Sequence, residues 1–268
     1  FVRMNPACTV PVMCFKEKKG DDDKAEAKQE EDKLVLTNSR NILYYLAEKY
    51  SDVKLYPKAY REAIDAFIGT YYASFSSIGA FLYGHLSRKS PEMREFLISG
   101  SYTTKIEKLE QLSSATEGEL HELASQKLQR TKKMDLPKFL DEVNLDTVDS
   151  SLQVLVDKME AMLTANEKKN ADTKEGCTYL VGNGFSLADI AGIVFCARIH
   201  FLKGCSMFGP KVNTYWERMK KRPTVARANV ISEWDGSSFH KLFEEFQANK
   251  KASPMSNKRK REDVSTAV

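Results

Sequence analysis

The sequence predicts an α+β fold that is mainly α: a small β-β-α piece followed by an all-helical region. Three observations carry this. Short β-like runs stand near the start, in "TVPVMCF" (9–15) and "KLVLT" (33–37). After Thr37 the apolar period changes, with Ile42, Leu43, Leu46 and Tyr50 recurring at helical spacing. From there on, apolar stripes at helical intervals alternate with caps and prolines.

The elements follow in order. Between the two runs, residues 16–33 hold 14 charged residues among 18. A strand cannot bury that pattern, so a hairpin with a solvated, disordered tip is expected. Asn38 or Ser39 is available to cap the first helix. One apolar, aromatic-rich helix is expected from Tyr60 to Leu86, carrying Ile64, Phe67, Ile68, Tyr71, Tyr72, Phe75, Ile78 and Phe81. Residues 101–133 are helix-prone but highly polar, and read as an exposed helical excursion interrupted by Pro137. Leu152, Leu155, Val156, Met159, Met162 and Leu163 then form an apolar stripe, which predicts a core-facing helix.

In "CTYLVGNGFSLADIAGIVFCARIHFL" a Gly-rich turn precedes Ser186 and Asp189, spaced as a capping box. Leu187, Ile190, Val194, Phe195 and Leu202 give the following helix a wide apolar side, so it is expected to be central. A further amphipathic helix, "KVNTYWERMKKRP", is expected to end at Pro223, with a disordered basic tail over 249–268.

Composition excludes several classes. No run approaches the roughly 18 apolar residues a membrane span needs. The five cysteines (Cys8, Cys14, Cys177, Cys196, Cys205) show no C-x-x-C spacing, so neither a disulfide framework nor a zinc site is indicated, and reduced thiols fit a cytoplasmic setting. His85, His121, His200 and His240 have no metal-ligand spacing, and there is no G-x-S-x-G or Walker loop. A net charge of +4 owes much to "NKRKRE" (257–262), so nucleic-acid binding by the body of the protein is not supported. Lys258, Arg259, Lys260 and Arg261 read either as a nuclear-import signal or as a solvated tail. Cys8 and Cys14 read as small buried hydrophobes.

The order of three local elements resembles the cytosolic glutathione transferases. "NPACTVPVM" is similar to the family's Asn-Pro and Val-Pro element, "LTNSRNILYYLAEKY" to its strand-to-helix element, and "LVGNGFSLADIAG" to its capped central helix. The resemblance implies a partial thioredoxin-like domain over 1–52 and a glutathione-transferase C-terminal helical domain over 57–248, with the polar insertion at about 101–133. It implies that Val10-Pro11 is cis and turns the backbone of Val10 outward to pair with glutathione, the co-substrate. An ordinary trans turn or edge strand is the other reading of that step. It also implies that Asn38 and Ser39 receive the γ-glutamyl end of glutathione at a helix N-terminus, a role compatible with plain capping. The family usually carries Glu or Gln at the position of Asn38, one methylene longer. Tyr71, Tyr72 and Phe75 are candidates for an acceptor cleft, or else part of the core.

In that family a first β-α-β unit carries the thiol-activating residue. Such a unit is expected before Phe1, and no residue of this chain is assigned that role, so the catalytic residue is unknown. The stretch "SYTTKIEKLEQLSSATEGELHELASQKLQRTKKMDLPKFLDEV", with "FSLADIAGIVFCARIHFLK" and "NTYWERMKKRPT", is more narrowly similar to the ganglioside-induced differentiation-associated proteins. That resemblance implies a role at the mitochondrial outer membrane as the alternative location, although the chain departs from those proteins after Trp234. The expected function is glutathione binding, with conjugation to a small electrophile, in a possible homodimer. The alternative is a non-catalytic interaction or redox module in mitochondrial organisation that uses the 101–133 excursion. No metal is expected. A third reading, a scaffold like those appended to translation factors, is opposed by that insertion.

Overall fold

The two β-like runs pair as an antiparallel hairpin, β1 (Val12–Lys16) with β2 (Lys33–Thr37), in the register Val12 opposite Thr37 through Lys16 opposite Lys33. They belong to a computed structural model that describes residues 12–16, 33–50, 54–169, 179–228 and 238–252. Lys16 and Lys33 close the ladder, so the loop expected over 16–33 is shorter by one residue at each end. Its body, 17–32, lies outside the described residues, as do Val10, Pro11, Cys8, Cys177 and the tail beyond Ala252.

The chain turns from β2 into α1 (Ser39–Lys49) at Asn38, whose Oδ1 accepts the N–H of Arg40 at 2.9 Å. Asn38 holds a φ of 79°, a left-handed conformation that Asn tolerates better than most residues. The buried side of α1 is Ile42 and Ala47; Tyr50, expected in the stripe, caps the helix end and is 51% exposed.

The single helix expected over 60–86 is two, α2 (Arg61–Ala73) and α3 (Phe75–Ser87). Ser74 breaks it. Its N–H is shared between the carbonyls of Thr70 and Tyr71, and its hydroxyl donates back to Thr70 O at 3.0 Å, a competing bond that bends helices. Ile64, Phe67, Ile68, Tyr71, Ile78 and Phe81 are buried as expected, whereas Phe75, beside the break, is 39% exposed.

The polar excursion also divides. Its first residues belong to a π-helix (Phe96–Thr103) that continues the short α4 (Pro91–Glu95). The rest forms two helices, α5 (Thr104–Ser114) and α6 (Gly118–Met134), which pair side by side. Pro137 does not end the excursion. Asp135, at φ 40°, ends α6, and its carboxylate accepts the Lys138 N–H; Pro137 sits in the first turn of α7 (Leu136–Glu142), where its missing N–H costs nothing.

The long helix α8 (Leu145–Lys169) buries Leu152, Leu155, Val156, Met159 and Leu163, with Met162 at the margin. The helix that the capping box opens, α9 (Leu187–Lys203), is central: it packs against α1, α2, α3 and α10 (Pro210–Lys220), while α8 packs against α3 and α10. Trp216, Tyr215, Phe195 and Phe67 fill the space between them. Pro223 does not merely end α10; it opens α11 (Pro223–Arg227).

A second, smaller cluster forms around Leu86, Met93, Phe96 and Leu97. It is covered by α12 (Ser238–Ala252), which extends helix into the first residues assigned to the 249–268 tail. Phe239, Phe243 and Phe246 of α12 surround the Phe96 ring at 5.3–5.6 Å between centroids. Gly100 makes room for this: a Cβ there would meet Phe96 and Phe246 at under 3.0 Å.

Candidate functional site

The helix-start residue Ser39 and the aromatic residue Tyr72, distant in sequence, share a hydrogen bond of 2.8 Å between Oγ and the phenol oxygen. This joins the N-terminus of α1 to the end of α2. The Tyr72 ring stacks on Phe75 with centroids 5.0 Å apart and planes 3° from parallel, and Tyr71 meets both edge-on at 5.3 Å. Four of the predicted residues, Ser39, Tyr71, Tyr72 and Phe75, thus form one cluster. Asn38 adjoins it, with its side-chain oxygen committed to the Arg40 N–H. Tyr71 itself is buried, so the accessible aromatic area is that of Tyr72 and Phe75. Val10 and Pro11 lie outside the described residues.

A tyrosine–carboxylate clamp fixes how α1 meets α2. Asp65 on α2 accepts the hydroxyl of Tyr44 on α1 at 2.5 Å and that of Tyr56, from the connecting segment, at 2.7 Å. The two tyrosine rings cross edge-to-face at 5.2 Å. Burial first, and then the Asp65 carboxylate, push the Tyr56 hydroxyl up to about 12 and push Tyr44 up as well, so both remain donors at neutral pH. The same segment reaches α9 through the Leu187 N–H, which donates to Leu55 O at 3.0 Å.

Two cations that sequence reasoning passed over border the surface. Arg40 lies 5.9 Å from the ring centres of both Tyr44 and Tyr72. Arg198 of α9 donates from its guanidinium to the Tyr71 hydroxyl at 3.2 Å and lies 5.6 Å from the Phe75 ring centre. Burial pushes the Tyr71 hydroxyl up against the opposing pull of Arg198. A signal for Arg198 was present: it falls in helical step with Ile190 and Val194 on a helix otherwise apolar along that side.

A cleft of about 360 Å³, lined by Ala47, Glu48, Lys54, Tyr56, Pro57 and Arg61, includes none of the predicted site residues. Ser186 and Asp189 form the capping box the spacing predicts. Asp189 is fully buried with all its bonds to protein donors, so it holds the fold and has no reach to a ligand. Among the described residues, no group of three or more His, Cys, Asp or Glu could hold a metal, and no helix is long and apolar enough to cross a membrane. Cys14 is exposed and Cys196 is buried, so the reading of Cys14 as a small buried hydrophobe does not hold: it stands on a two-stranded hairpin, in which both strands are edges.

No family model matches this chain, and no curated protein matches it.

Proposed function

We propose that the surface made by Asn38, Ser39, Tyr72 and Phe75 binds glutathione in the manner of a glutathione-transferase-like protein, with a small electrophile as acceptor. The Ser39–Tyr72 hydrogen bond is the observation that carries this reading, because it brings a helix N-terminus together with the half-buried Tyr72 and the exposed Phe75 stacked on it. The dipole end of α1, about half an elementary charge, and the Ser39 hydroxyl suit the γ-glutamyl carboxylate. Tyr72 and Phe75 then offer an apolar wall to the acceptor. The side chain of Asn38, occupied by Arg40, contributes capping rather than a ligand contact in this reading. Thiol activation is assigned to no residue of the surface. The protein works in the cytoplasm in this reading, as a possible homodimer, with the mitochondrial outer membrane as the alternative.

Calorimetric titration of glutathione tests it. Millimolar or tighter binding that weakens on Ser39→Ala supports the reading, and absence of heat from a folded sample overturns it.

The α5–α6 pair favours the second reading, a non-catalytic interaction module. Helix α5 buries no residue, so its polar faces are open to a partner. If removal of 101–133 changes no protein association, that reading fails.

A further inference from the structure

Helix α6 meets the rest of the described structure chiefly through α5. Ala124 and Thr131 are its buried residues, and Lys132 pairs with Glu110 of α5 at 2.7 Å, which fixes the side that α6 turns outward. That outward side carries Glu119, Glu122, Gln126, Arg130 and Lys133, all exposed and three or four residues apart, so they lie along one stripe.

The stripe is antisymmetric in charge. Glu122 and Arg130 stand four residues either side of Gln126, and Glu119 and Lys133 stand seven either side. None of these four charges has a partner among the described residues. Such a helix is the complement of its own copy run antiparallel. With a two-fold axis at Gln126, Glu119 faces Lys133 of the second copy and Glu122 faces Arg130, and the symmetry makes each pair twice. The antiparallel arrangement also sets each helix dipole against the opposite end of the other.

We infer that two copies of this chain associate through α6, antiparallel about Gln126, held by the Glu119–Lys133 and Glu122–Arg130 pairs across the two-fold. This rests on the interaction-module reading and narrows it, naming the partner as a second copy in a self-complementary contact of the kind that builds two-fold dimers. Exposed ion pairs each contribute little, and salt screens them. The association is therefore weak and falls with ionic strength.

Sedimentation equilibrium of the whole chain over a concentration series tests this at about 0.1 M and about 1 M salt, where charges are felt over roughly 10 Å and 3 Å. Self-association is expected at the lower salt and is expected to be about tenfold weaker or more at the higher. E119K/E122K and R130E/K133E should each sediment as monomers, since like charges then face across the axis. Mixed in equal amounts, the two should associate with each other, because an all-basic stripe then meets an all-acidic one. The native charges also suit the dipole of α6 itself, and recovery on mixing is a readout that this local role does not supply. Gln126→Arg is the second variant: a good helix former placed where the stripe meets its own copy, it should weaken association with the helix content by circular dichroism unchanged. A parent chain that is monomeric at the lower salt, a dimer that ignores these substitutions, or a mixture that does not associate overturns the inference. Loss of other protein associations on removal of 101–133, with no self-association of the parent, leaves the interaction reading standing and removes this one.

Discussion

Tyr215 on α10 donates its hydroxyl to the fully buried carboxylate of Asp189 on α9, 3.1 Å away. The same oxygen accepts the Leu180 N–H at 3.0 Å, and the other accepts both the N–H and the hydroxyl of Ser186 at 2.9 and 3.0 Å. One side chain thus closes a helix start, anchors the preceding turn and holds a second helix.

Asp189→Asn should therefore destabilise the fold despite its matched size. Its amide nitrogen must face a backbone N–H, of either Leu180 or Ser186, that cannot turn away, and one unsatisfied buried donor costs about 1–3 kcal/mol. Urea denaturation measures this. An unchanged midpoint would show that the four bonds contribute nothing net.

Glu160 of α8 caps α10 from outside it, accepting the N–H groups of Lys211 and Val212 at 2.8 Å each. A Cβ at Gly209 would lie 2.6 Å from that carboxylate, so the glycine is what lets it in. Glu160→Ala is expected to cost about 0.5–2 kcal/mol, the worth of a helix cap. Gly209→Ala should cost a similar amount, and the double variant less than the sum, because both remove one contact. Additive losses would separate the two residues.

Asp149 links three helices: it accepts from His85 Nε2 on α3 at 2.7 Å and pairs with Lys203 on α9 at 2.9 Å. Burial works to raise its pKa, and the His85 and Lys203 bonds and charges outweigh that, holding it below the usual carboxylate range. A depressed folded-state pKa means that the carboxylate's contribution is present above the unfolded value, about 3.9, and is lost as pH falls through the folded one. Denaturation midpoints should therefore fall more steeply below about pH 4 in the parent than in Asp149→Asn. Parallel acid limbs would rule this linkage out.

Removing the Phe96 ring should loosen α12 before it loosens α9. Phe96→Ala deletes the side chain on which Phe239, Phe243 and Phe246 converge, a change of about 3–5 kcal/mol for a buried Phe. Amide exchange over 238–252 is expected to accelerate, with protection in 187–203 retained. Equal acceleration in both would mean that the two clusters unfold as one.

What the sequence by itself determined is local. The two strand runs, the α8 stripe and the Ser186–Asp189 box depend on chemistry acting within a few residues, where period and cap are readable. The break at Ser74 was missed because a back-bonding serine competes with the helix only where packing lets the bend persist. Helices do end just before Pro137 and Pro223, but each proline also opens the next helix, because it serves equally well in the first turn of a helix as after the last. Tertiary structure alone decided the site. Ser39 meets Tyr72 across 33 residues, His85 meets Asp149 across 64, and Arg198 meets Tyr71 across 127. Each pair forms because the packing of separate helices sets their ends and seams side by side, and the polar groups there take the partners that this packing leaves within reach.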